Sequence, residues 1–148
     1  MSDLCLSAPL PPSSPSDLQA LCSVTSYLLR QKPVEVPVEH FLHAGTYIRT
    51  CFVPKGAAIV GALIKVPTVV IVSGRCQVTA GPAIKAIDGY AVLRAEAGRR
   101  QCFAALEDTY ITMLFASDAK TVADAEKEFT DEWDLLTTNS EGGIRGKV

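Results

Sequence analysis

Two imidazoles, five thiols and one arginine cluster are the groups in this 148-residue chain whose chemistry could be put to use. The only histidines lie in the run Glu39-His40-Phe41-Leu42-His43. On a helix this spacing would put both rings on one face, as a shared metal needs. The flanking valines and prolines argue for a strand or bend, where the same spacing turns the rings to opposite sides. A metal also needs third and fourth ligands, which the neighbouring sequence does not supply, so both histidines are read as structural or surface residues. The cysteines, Cys5, Cys22, Cys51, Cys76 and Cys102, include no C-x-x-C pair and are odd in number. That is the pattern of reduced thiols serving as small hydrophobes, not of a disulfide frame or zinc knuckle.

Arg94, Arg99 and Arg100 surround the Ala97-Gly98 turn. Such a cluster could meet a carboxylate or a phosphate. The formal net charge of −2 gives no drive towards polyanions, and solvated turn residues paired with Glu96 or Asp88 are expected instead. Nucleic acid and anionic membrane surfaces are disfavoured as partners on the same ground. Glu107 and Asp108 are adjacent in a turn, whereas acid/base catalysis needs opposed carboxylates of unequal pKa. Tyr47, Tyr90, Tyr110 and Trp133 are read as core amphiphiles. There is no H-E-x-x-H helix, G-x-S-x-G elbow or phosphate-binding glycine loop.

The elements that must position these groups follow from periodicity. Residues 1–15 hold four prolines and four serines and read as a flexible Pro/Ser-rich arm. Ser14 as cap, Pro15 at the first helical position and Asp17 three residues after the cap then predict a helix over 16–31. Its stripe is Leu18, Leu21, Cys22, Thr25, Leu28 and Leu29, and Pro33 ends it. Alternation of Val34, Val36 and Val38 with Glu35, Pro37 and Glu39 predicts an edge strand. Further β-prone runs cover 47–53, 58–63, 68–72, 76–80, 83–87, 90–94, 100–105 and 109–115, separated by glycine, proline and acidic turns. With no helical pattern among them, they predict an antiparallel sandwich or barrel, centred on the apolar stretch 54–74. A second helix is predicted from Ser117 or Asp118 to about Leu135, with Val122, Ala125, Phe129 and Trp133 on its inner face. The Gly-rich end, 137–148, reads as a flexible tail, and 16–136 as one domain.

With these elements placed, the order Val36-Pro-Val-Glu-His-Phe-Leu-His-Ala-Gly-Thr-Tyr-Ile-Arg49, Val53-Pro-Lys-Gly56, Ile59-Val-Gly61, Ser73-Gly74, Gly98-Arg-Arg100 and Leu106-Glu-Asp-Thr109 resembles small cupin-like proteins encoded in phage and prophage genomes. The resemblance spans roughly residues 16–135. It implies a mainly β fold, a small double-stranded β-helix or jelly roll with an N-terminal and a C-terminal α-helix. Active cupins hold a metal on histidines and a carboxylate. The matching positions here are Ile64, Val66 and Thr68 in the first motif and Gln101 in the second, which are poor metal ligands. No metal, cofactor or catalytic residue is therefore assigned, and an interior packed with aliphatic side chains is expected.

The resemblance implies a non-enzymatic virion component, a capsid decoration or a tail or neck accessory protein. Its partners would be further copies of itself and other virion proteins. With neither signal peptide nor membrane-spanning run, the chain would be made in the host cytoplasm and carried in the particle. The alternative is a cupin-type binding protein or degenerate enzyme. Its barrel mouth would offer Arg94, Arg100, Gln101 and Tyr90 to a small sugar or acid. A cytoplasmic regulatory adaptor is a third possibility.

Overall fold

The computed structural model describes residues 8–136, so the predicted tail at 137–148 lies outside the described residues. The elements in chain order are α1 (Pro15–Leu29), β1 (Val38–His43), β2 (Thr46–Val53), β3 (Ala58–Val60), β4 (Thr68–Ala80), β5 (Ala83–Ala95), β6 (Cys102–Ala105), β7 (Thr109–Ala116), α2 (Val122–Phe129) and a 3₁₀ turn (Trp133–Leu135). Every strand pairing is antiparallel.

The long β4–β5 hairpin creates the architecture. The first half of β4 pairs with β7 on one side and the second half of β5 on the other. Its second half pairs with β6 and the first half of β5. The seven strands form one continuous sheet, β1–β2–β7–β4–β6–β3 with β5 on β4. The hairpin divides it into two four-stranded halves, β2–β7–β4–β5 and β3–β6–β4–β5, which act as the two sheets of the fold, with β1 at the edge of the first. This exchange of one hairpin between two sheets is the jelly-roll arrangement, and it follows from the pairing alone.

The corner lies at Gly74 and Gly89, which face each other across the hairpin at φ +144° and +101°. The sequence marks both as turns between separate strands. The structure runs straight through them, because a glycine pair in register lets the ladder bend without breaking. The β1–β2 turn, Ala44-Gly45, is left-handed at both residues, which matches the twist of a two-residue hairpin.

The N-terminal signals hold closely. Ser14 caps α1, its side chain accepting from the Asp17 amide while the Asp17 carboxylate accepts from the Ser14 amide. Of the predicted stripe, Leu21 is buried and Leu18, Thr25 and Leu28 are half-buried, whereas Cys22 and Leu29 face outward. The described part of the predicted arm is tied down. Leu10 is 1% exposed, and its backbone pairs with Arg94 and Glu96 along β5. The edge strand begins at Val38, later than the valine alternation predicts, since Pro37 has no N–H for the ladder. The C-terminal helix is shorter than predicted. Thr121 caps it, and at Thr130 the backbone becomes extended before the 3₁₀ turn. Trp133 therefore leaves the inner face and is exposed, with Lys127 Nζ 4.8 Å from its ring centre. No helix among the described residues is long and apolar enough to cross a membrane.

A Cβ at Gly74 would lie 2.5 Å from Thr109 Oγ1 and 2.7 Å from the Asp108 carbonyl, whereas one at Gly89 meets nothing within 4 Å. Gly74→Ala is expected to cost about 3 kcal/mol, combining strain with a backbone clash. Gly89→Ala carries only the strain and is expected to cost about 1–2 kcal/mol. Urea denaturation of the two variants tests that order.

Candidate functional site

The inner faces of the two sheets do not close completely. Between them lies a cavity of about 160 Å³, walled by Ile59, Val70, Phe103, Ile111 and Met113 from the strands and by Phe129, Leu135 and Leu136 from the C-terminal segment. The interior is lined largely by aliphatic side chains, as the sequence suggests, but they leave this space open. Polar groups reach the cavity at Arg49, Arg99, Gln101 and Glu132, where loop and strand residues alternate inward.

Arg99 is the least expected of these, being 2% exposed. Its Nε donates to Gln101 Oε1 at 3.1 Å, Nη1 to the Glu96 carbonyl at 2.8 Å, and Nη2 to Thr68 Oγ1 at 2.7 Å. Gln101 is fixed in turn by donating to the Thr79 carbonyl at 2.9 Å. All three acceptors are neutral. Burial lowers the Arg99 pKa to about 10, against the opposing charge of Glu96, and the side chain remains cationic at neutral pH.

A second polar group joins β2 to α2. Arg49 Nη1 lies 3.5 Å from Glu126 Oε2, and the Arg49 guanidinium lies 5.9 Å from the centre of the Phe129 ring. Nη1 also donates to Tyr47 Oη at 3.4 Å, and Tyr47 Oη lies 3.0 Å from His40 Nδ1. Tyr47 is fully buried, its ring stacked on Phe129 at 5.8 Å. Glu126 Oε2 is buried without a hydrogen bond. Burial raises the Glu126 pKa, and Arg49 opposes that rise. Burial, then the Arg49 charge, lowers the pKa of His40. His43 lies on the opposite, exposed side of β1, as strand parity requires.

The C-terminal wall is clipped to the sheets by backbone and charge. Glu132 Oε1 accepts from the Leu63 amide at 2.9 Å, and Glu132 Oε2 pairs with Arg100. The Phe129 carbonyl accepts from the Lys65 amide at 2.8 Å.

Of the four residues expected at a barrel mouth, only Gln101 lines the cavity. Arg100 is turned to Glu132. Arg94 and Tyr90 are on the outer face of β5, opposite in parity to the buried Ala91, Leu93 and Ala95. Tyr90 is 48% exposed and Tyr110 is also exposed, so neither is the core amphiphile expected. In the register they form the row Phe52, Tyr110, Ser73, Tyr90 on the outer face. Arg99, expected as a solvated turn residue of the arginine cluster, is buried instead; the signal is its i, i+2 relation to Gln101, since on extended backbone the two share a side.

Among the described residues, the thiols of the β strands are held protonated. Burial pushes Cys51 and Cys76 up to about 11 and also raises Cys102. Cys22 is exposed on α1 and is not a core residue. The positions implied for a metal do not fit one. Ile64 is apolar and lines the cavity, Val66 packs against the aromatic cluster, and the Thr68 and Gln101 side-chain oxygens are engaged by Arg99. No group of three or more His, Cys, Asp or Glu among the described residues could hold a metal ion.

Comparison with known proteins yields likeness in structure only. No family model matches the sequence, and no curated relative matches it. Among solved structures, a cupin-2 domain from Rhodospirillum rubrum aligns with TM-score 0.49 and 15% identity, covering 58% of this chain and 62% of that one. A cupin superfamily protein from Desulfitobacterium hafniense aligns with TM-score 0.49 and 14% identity over 63% of this chain and 87% of that one. A cupin 2 conserved barrel domain protein from Salinispora arenicola gives 0.49 and 12% over 60% and 89%. The chain is similar to cupin-2 structures. The fold assignment rests on the strand pairing described above, not on these values.

The lowered His40 pKa has a pH consequence. Between that value and the unfolded value of about 6.5, the unfolded chain binds more protons, so stability rises with pH across this window. It is lost as pH falls through the window. Glu126, with a raised pKa, contributes the opposite slope nearer its own range. Subtracting the urea midpoints of His40→Gln from those of the wild type, at pH 7.5 and 5.5, isolates the histidine: the difference in favour of the wild type should shrink at pH 5.5.

Proposed function

We propose that this protein is a metal-independent jelly-roll binding protein that holds a small, largely apolar molecule between its two sheets. The observation that carries this reading is the cavity of about 160 Å³, apolar on most sides and edged by a few fixed polar groups. That combination is the general form of a small-molecule site. Its volume is close to the roughly 150 Å³ that accommodates a benzene-sized guest, so the ligand has only a few carbons beyond its polar group.

Binding is favoured over catalysis by the state of the groups around the cavity. Cys51 is held protonated, Glu132 has both oxygens engaged, and Arg49 lies beside Glu126. None is poised as a nucleophile or general base. The rival reading, a virion component acting only through its surface and ends, calls for no cavity, and the cavity is what favours a receptor for a small molecule.

The test is a ligand-observed NMR and thermal-shift screen with a panel of benzene-sized molecules, neutral and charged, against wild type and Val70→Phe. The larger ring should fill the space at a cost of about 1–3 kcal/mol. Wild type is expected to bind at least one member with shifts in the Val70 and Ile111 methyl signals, and the variant to bind it at least tenfold more weakly. A wild type that binds no member of the panel would refute the reading.

A further inference from the structure

We infer that the ligand is a small organic anion, a monocarboxylate with a short apolar body, whose carboxylate is gripped by Arg99. This rests on the binding role proposed above and names its ligand class.

Among the described residues, Arg49 and Glu126 form one ion pair at the cavity and Arg100 and Glu132 another. No carboxylate among them lies within ion-pair distance of Arg99, which is 2% exposed. A buried charge is normally matched by an opposite one, because removing an ion from water costs several kcal/mol per ion. The three groups that hold Arg99 orient it without neutralising it, since each is an amide, hydroxyl or peptide oxygen. The Glu96 carboxylate acts on it only from a distance, its side chain being exposed.

A guanidinium carries five N–H groups. Nε and one hydrogen on each terminal nitrogen are engaged. One N–H on Nη1 and one on Nη2 remain, on the two nitrogens that together form the fork for bidentate recognition of a carboxylate. Gln101 and Thr68 hold the plane of that fork, so little ordering is left to occur on binding. The remaining walls, Val70, Phe103 and Ile111, suit a hydrocarbon body. Glu132 also borders the cavity, but its oxygens already accept from the Leu63 amide and Arg100, which limits its repulsion of an anion.

Isosteric pairs test this on the intact protein by isothermal titration calorimetry at pH 7.5: isovalerate against isovaleramide, and benzoate against nitrobenzene. Each carboxylate is expected to bind at least tenfold more tightly than its neutral partner. Arg99→Met should remove that preference while leaving the neutral members within about threefold of their wild-type affinity. Arg99→Lys, which keeps the charge but loses the fork, should fall between. If Arg99→Met does not fold, the wild-type pairs and Arg99→Lys decide the matter. Neutral partners binding wild type as tightly as the carboxylates would overturn the anion inference and leave the binding role standing. Failure of all four molecules, together with an empty screen, would overturn both.

Discussion

The guanidinium of Arg99 is the interaction on which the interior depends. It sits between the start of β4, through Thr68, and the approach to β6, through Gln101, and Gln101 continues the chain of bonds to Thr79 at the far end of β4. One side chain thus joins elements that belong to different sheets. A hydrophobic residue at 99 could not make these connections, although an unbranched one such as Met could occupy much of the same space. The bonds fix where the buried charge sits beside the cavity.

The C-terminal segment completes the cavity wall. Phe129 packs on Tyr47 and Phe115, so the wall of the cavity is an extension of the aromatic cluster at the edge of the first sheet. The break after α2 follows from this. A helix continued past Phe129 would carry Glu132 along its own axis, whereas the extended Thr130 brings the Glu132 carboxylate to Leu63 and Arg100. The hydroxyl of Thr130 accepts from the Glu132 amide at 3.1 Å, which secures the turn that the helix would otherwise have supplied. The apolar stripe of Val122, Ala125, Phe129 and Trp133 favours continuation; the tertiary bonds at Glu132 outweigh it.

Much of this fold is legible in the sequence because short strands announce their ends. Pro54-Lys55-Gly56, Gly81-Pro82 and Ala44-Gly45 are turns in both readings, and the Ser14 capping box begins α1 where it should. Gly74 and Gly89 mislead because a glycine that bends a ladder and a glycine that ends one are identical in one dimension; only their pairing with each other tells them apart. The site was less legible. Strand parity through Leu93 and Ala95 could have sent Arg94 outward and left Arg99 and Gln101 as the inward pair. Nothing in local pattern, however, reports a void, which depends on the summed volumes of side chains from six strands and a terminal segment. The Thr68–Arg99 bond, between residues 31 positions apart, is equally invisible before the sheets are assembled.

A fixed arginine and a bound metal ion place positive charge in a protein interior in different ways. A metal offers open coordination positions, polarises what it binds and activates a water molecule, so it can drive bond breaking. A guanidinium offers directed N–H groups, no empty orbital and no exchangeable acid near neutral pH. With Thr68 and Gln101 turned to hold Arg99, the same two positions support recognition by shape and charge, and supply neither Lewis acid nor base. In the binding role proposed here, such an arrangement would favour a planar acceptor at one end and hydrocarbon at the other. The charge itself is built into the chain, so the interior is charged and oriented as soon as the two sheets have formed.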